Sequence, residues 1–117
     1  MTRVTLFSGK NGVVKRCEAN GHARFSRKGG DIVCAAVTIL LRTAMQTFSQ
    51  DESVAVSADV KSRGKLVFAL EADGGNPEAE ARLKGVSDFL RNGLKSLSEE
   101  FPEYVFFDEI PIGTSES

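Results

Sequence analysis

Apolar and polar residues alternate through MTRVTLFSGK, with Val4 and Leu6 on one side, the period-two pattern of a half-buried strand. Turn formers in SGKNG (8–12) close that strand, and Val13 to Ala19 makes a second. So short a connection predicts an antiparallel hairpin, ended by Asn20-Gly21. The segment 31–48, DIVCAAVTILLRTAMQTF, is too long for a strand and rich in Ala and Leu. It reads as a helix that is apolar on most faces and therefore centrally buried. SVAVSA (53–58) alternates again as a third strand, Gly64 sits in a turn, and LVFAL (66–70) makes a fourth. Asn76-Pro77 supplies an N-cap and a proline at the first helical position. Leu83, Val86, Leu90, Leu94 and Leu97 then recur at spacings of three and four, which predicts an amphipathic helix packed by one face and stopped by Pro102. Tyr104 to Phe107 can add a fifth strand. The order ββαββα(β) predicts an α+β fold, a two-layer sandwich of a small mixed sheet with two main helices.

Composition narrows this picture. A chain of 117 residues with 41% hydrophobic residues fits one domain, expected over residues 1–110, with a polar, flexible C-terminal tail over 111–117. A net charge of −1 argues against direct, specific nucleic-acid binding, because a surface that tracks phosphates carries a basic excess. No continuous apolar stretch follows Arg3, so no signal peptide is expected. The longest apolar run, Ile32 to Leu41, is too short to span a bilayer and contains Thr38. The expectation is a soluble, cytoplasmic protein with no membrane contact. Its two cysteines are then more plausibly reduced than paired, and with no CxxC or Cys/His cluster neither a metal site nor a cofactor is expected.

Candidate chemistry concentrates in GHARFSRKGGDIVCAAV (21–37), which holds the single histidine, His22, and the cysteine Cys34. Asp31 is a good N-cap and would make Cys34 the third helical residue. First-turn amides lack intrahelical partners and carry partial positive charge, which favours a thiolate and can hold an oxyanion. Cys and His are together the minimum for acyl transfer, a nucleophile and a group to move its proton. The plainer readings are a packed cysteine in an apolar helix, a surface histidine in a turn, and an Asp31 that only caps the helix or orients His22. Arg24, Arg27 and Lys28 form a positive cluster that is either a solvated loop or a clamp on an extended peptide or an acidic or RNA-bearing partner. Cys17 lies inside a strand and reads as packing. Phe101, Tyr104, Phe106 and Phe107 read as core and interface.

The paired motif Gly21-His22-Ala23, then Gly30-Asp31-Ile32-Val33-Cys34-Ala35-Ala36, resembles the signature of the ribosomal-processing cysteine proteases, the Prp (YsxB-like) family. The resemblance runs over nearly the whole chain in size and element order. It implies a bacterial cytosolic endopeptidase that removes the N-terminal extension of large-subunit ribosomal protein L twenty-seven. It implies Cys34 as nucleophile, His22 as proton donor and base, a homodimer, and a mobile substrate loop over Ala23, Arg24, Phe25, Ser26, Arg27, Lys28, Gly29 and Gly30. Two positions depart from the family pattern: Thr38 stands where serine is common, and RFSRK is bulkier and more basic than expected. A ribosomal precursor peptide is the expected substrate, bound along a sheet edge or groove. The competing readings are a non-catalytic ribosome-associated assembly factor, and a redox-sensing thiol with Cys17 as resolving partner.

Overall fold

The computed structural model describes residues 1–21, 28–60, 64–72 and 74–112, with backbone alone at 28–31. Two strands, β1 (Thr2–Ser8) and β2 (Val14–Asn20), precede helix α1 (Lys28–Ser49). Strands β3 (Val54–Asp59) and β4 (Lys65–Ala72) lead to helix α2 (Pro77–Glu100), and β5 (Val105–Pro111) closes the order. The α+β architecture of the sequence reading holds. The five strands form one mixed sheet in the order β3-β4-β2-β1-β5. Neighbours pair antiparallel except β1 and β5, which run parallel because α2 carries the chain back across the sheet.

Alternation puts Val4 and Leu6 of β1, Cys17 and Ala19 of β2, and Phe68 and Leu70 of β4 into one core beneath the helices. From α1 come Val33, Val37, Leu41, Ala44 and Phe48, and from α2 Leu83, Leu90 and Leu94. Phe48 meets Phe68 with ring centroids 6.3 Å apart, tying α1 to β4. The α2 start is the one its sequence announces: Asn76 Oδ1 accepts hydrogen bonds from the amides of Glu78 and Ala79, and Pro77 opens the helix. Phe101 caps the other end, its amide donating to the Leu97 carbonyl.

Two expectations need correction. First, α1 is not buried on most faces, since Ile32 and Ile39 are 70% and 63% exposed and Ala35 and Ala36 face solvent too. It packs on the sheet by one stripe, as a two-layer fold with no third layer requires. By length and composition alone Ile32–Ser49 could cross a membrane, a longer stretch than the apolar run suggests. The burial of Val33, Val37, Leu41, Ala44 and Phe48 against the sheet marks it as a core helix. Second, α1 begins at Lys28 and not after Asp31. At the other end of the chain β5 runs to Pro111, and the Ile112 amide donates to the Ser8 carbonyl at 2.7 Å. Residues 113–117 lie outside the described residues.

A register irregularity between Phe7 and Ser8 frees the Val14 amide from the β1–β2 ladder. Ser87, fully buried on α2, accepts that hydrogen bond at 2.9 Å and donates its own proton to the Leu83 carbonyl at 2.8 Å. Arg91 gathers the same end of the fold, reaching Glu109 on β5, Asp88 on its own helix and the Gly12 carbonyl in the hairpin.

Candidate active site

The candidate site is built where β2 hands the chain to α1. Gly21 is pinned there, its amide donating to the Gly64 carbonyl at 2.8 Å. A Cβ on it would fall 2.7 Å from Thr2 Cα and 2.8 Å from the Met1 carbonyl oxygen, both backbone atoms, so only glycine fits this approach. The next residue is His22. It and Ala23, Arg24, Phe25, Ser26 and Arg27 lie outside the described residues.

The chain is helical again from Lys28. Lys28, Gly29 and Gly30, expected in the loop, are therefore the first three residues of α1. Asp31 is the fourth and does not stand at the N-cap position, and Cys34 is the seventh instead of the third. Two glycines disfavour a helix by about 1 kcal/mol each, yet the buried stripe from Val33 to Phe48 anchors the rest of α1 and tertiary packing overrides that local preference. The oxyanion argument changes accordingly. Amides without intrahelical partners belong to the first turn, and Cys34 sits roughly 9 Å along the axis from the first residue at about 1.5 Å per residue.

Cys34 is half-buried on one flank of α1, together with Thr38 and Met45. The opposite flank carries Leu40, which packs so closely on α2 that a Cβ on Gly93 would lie 2.9 Å from Leu40 Cδ2. The cysteine thus faces away from α2. Thr38 Oγ1 donates to the Cys34 carbonyl at 2.9 Å, so its hydroxyl is spent on the helix backbone around the cysteine. Sequence reasoning flagged Thr38 only as a departure; its partner four residues back follows from helical spacing alone.

Cys17 occupies the opposite kind of place. It lies on β2 between Leu6 of β1 and Phe68 of β4, with no exposed surface. Burial first, and then the neighbouring Glu18 carboxylate, push its thiol up to about 12. A thiol held neutral is a poor resolving partner, which removes the physical basis of a redox pair with Cys34. Among the described residues no group of three His, Cys, Asp or Glu side chains is arranged to hold a metal ion.

The cysteine protease Prp family matches residues 1–106. The chain belongs to that family. The ribosomal processing cysteine protease Prp of Mycoplasma pneumoniae is 34% identical over 91 residues, covering 78% of this chain and 83% of that protein. Among solved structures, a Streptococcus mutans protein superposes with a TM-score of 0.77 at 23% identity, over 96% of each chain. The essential ribosomal processing protease Prp from Staphylococcus aureus, in complex with a covalently linked product peptide, gives 0.72 at 22% identity over 93% of this chain and 99% of that one. These structures share the mixed five-stranded sheet with two helices. As a Prp protease the chain is a cysteine peptidase. Of its two cysteines, Cys34 reaches solvent and Cys17 does not.

Proposed function

We propose that this protein is a site-specific cysteine endopeptidase that removes the N-terminal extension of large-subunit ribosomal protein L twenty-seven through a dyad of Cys34 and His22. The observation that carries the proposal is the contrast between the cysteines: Cys34 half-buried on a helix flank, Cys17 sealed in the sheet. The kinship supports the substrate class, because the Mycoplasma pneumoniae relative is named a ribosomal processing protease and the Staphylococcus aureus enzyme is solved with a substrate peptide and with a product peptide.

In the reaction His22 takes the proton from Cys34 Sγ, and the sulfur attacks the scissile carbonyl. The same imidazolium then returns the proton to the leaving amine, leaving a thioester on Cys34. Water, deprotonated by His22, adds to the thioester carbonyl; collapse frees the acid and restores the thiol. A cytoplasmic location follows from a substrate made on the ribosome, and from a nucleophile that must stay reduced.

The protein is also proposed to act as a homodimer. Ile32, Ile39 and Phe89, 70%, 63% and 71% exposed, stand on the helix layer with the neighbouring Ala35 and Ala36, an apolar surface that a second copy would cover.

Incubation of the purified protein with the unprocessed ribosomal precursor tests the activity. One new N-terminus is expected, with turnover abolished in Cys34→Ala and lowered roughly 10²-fold or more in His22→Ala. Full activity in Cys34→Ala, or no cleavage by the wild type, overturns the proposal.

A further inference from the structure

The two edges of the sheet are guarded differently. At one edge β5, VFFDEIP, carries Asp108, Glu109 and Pro111, charges and a proline that discourage a further strand from pairing. At the other edge β3, VAVSAD, has no proline, glycine or lysine, and its one charge is Asp59 at the end. Its register with β4 runs unbroken from Val54 to Asp59, so no bulge twists the edge away. Among the described residues β4 is the only strand that pairs with β3. Alternate residues of β3 therefore turn their N–H and C=O groups outward with no strand beyond them.

This open edge lies on the Cys34 side of the molecule. Helix α1 packs against β3 and α2 against β5, so the flank of α1 turned away from α2 looks toward the β3 side. Cys34 and Thr38 stand on that flank, opposite Leu40 and its contact with Gly93. Position along the sheet agrees. The helices run antiparallel, since Arg82 near the start of α2 reaches Asp51 just past the end of α1, while Leu40 meets Gly93. Cys34 therefore lies toward the α2 end, where Tyr104 accepts from the Thr2 amide and Gly21 donates to Gly64. Gly64 immediately precedes β4, and β3 runs antiparallel to β4, so Asp59 closes β3 at that same end.

The helix layer also stops short of this end of the edge. Ala58 pairs with Phe68 and shares its helix-facing side, yet Phe68 is sealed and Ala58 is exposed. Val60, just past the strand, is 55% exposed. An apolar ledge thus borders the unpaired backbone on the side that Cys34 faces. A strand added about 4.8 Å beyond β3 would rest alternate side chains on that ledge, and the others beside Ser57 and Asp59. Main-chain pairing of this kind gives affinity without a deep pocket.

We propose that β3 is the docking edge for the precursor: an extended segment beside the scissile bond adds to β3 as a sixth strand and leads on past Val60 toward Cys34. The proposal rests on the peptidase reading above and names the surface that holds the substrate. It places recognition in the backbone of the substrate as much as in its side chains, with apolar residues favoured at every second position, over Ala58.

The test uses a synthetic peptide spanning the cleavage junction of the precursor, N-methylated at one residue at a time and bound to full-length Cys34→Ala. Strand addition predicts an alternating pattern on one side of the scissile bond: every second N-methyl group weakens binding roughly fivefold or more, the scale of a lost hydrogen bond, and those between are tolerated. Hydrogen exchange should slow at outward amides of β3 when the unmodified peptide binds, and stay unchanged in β5. Ala58→Lys, which installs the missing edge guard on an exposed position, should raise KM roughly fivefold or more at unchanged kcat. Its circular dichroism and the alkylation rate of Cys34 should match the wild type. Binding weakened at all positions alike or at none, protection in β5 instead of β3, or an unchanged KM in Ala58→Lys overturns the proposal. Wild-type cleavage of the precursor is read separately: cleavage without these signs sinks the docking edge alone, and no cleavage sinks the peptidase reading and this proposal with it.

Discussion

Inside the sheet at Cys17 no water is available to solvate a thiolate, so the native state holds its proton up to about 12 against an ordinary 9.0. The native state therefore binds more protons than the unfolded chain between those values, and stability falls as pH rises through that window, at most by about 1.4 kcal/mol per unit. Urea denaturation from pH 8 to 10.5 should show the wild type losing more stability with pH than Cys17→Ala; parallel curves would show the thiol is not protonated by burial. A second residue acts through a single hydroxyl. Ser87→Ala leaves the buried Val14 amide without its acceptor and should cost about 1–3 kcal/mol in urea denaturation. A loss below about 0.5 kcal/mol would mean that water or a backbone shift replaces the bond. No pattern in the sequence marks Ser87, because the need for it arises from a strand irregularity on the other side of the core. Cys34 and His22, by contrast, are singled out as candidates by the paired motif and its family resemblance, because their spacing alone fits a packed cysteine and a surface histidine equally well.

Among the elements, legibility follows how local the deciding interaction is. Asn76 and Pro77 carry the start of α2 in their own side chains, and the structure places the helix there. The start of α1 is decided elsewhere: Lys28-Gly29-Gly30 reads as loop, and only the packing of Val33 and Val37 draws it into the helix. That shift moves Asp31 out of the N-cap position and Cys34 away from the first-turn amides. Activation of the thiol in this account therefore rests on His22, not on the helix end. The exposed side of α1 was illegible for a related reason. A run that is apolar on every face does not say which face lacks a covering layer, and only the sheet position shows that Ile32 and Ile39 point outward. Parallel pairing of β5 with β1 was equally hidden in an isolated YVFF, though a crossover through α2 makes it the natural return.

For the whole molecule, the helix layer presents Ile32, Ile39 and Phe89 to solvent, and the proposed dimer covers them. Sedimentation velocity should show a dimer for the wild type and a monomer for Ile39→Glu/Phe89→Glu with unchanged circular dichroism. A wild-type monomer at micromolar concentration would remove the dimer from the account. The central claim is that Cys34 forms the covalent intermediate of precursor cleavage. It is tested most directly by acid-quenching the reaction during turnover and mapping the acyl group by mass spectrometry. The account predicts the N-terminal fragment of the precursor attached as a thioester to Cys34, present in Cys17→Ala and absent in Cys34→Ala. An acyl group on Cys17, or cleavage that continues in Cys34→Ala, would contradict it.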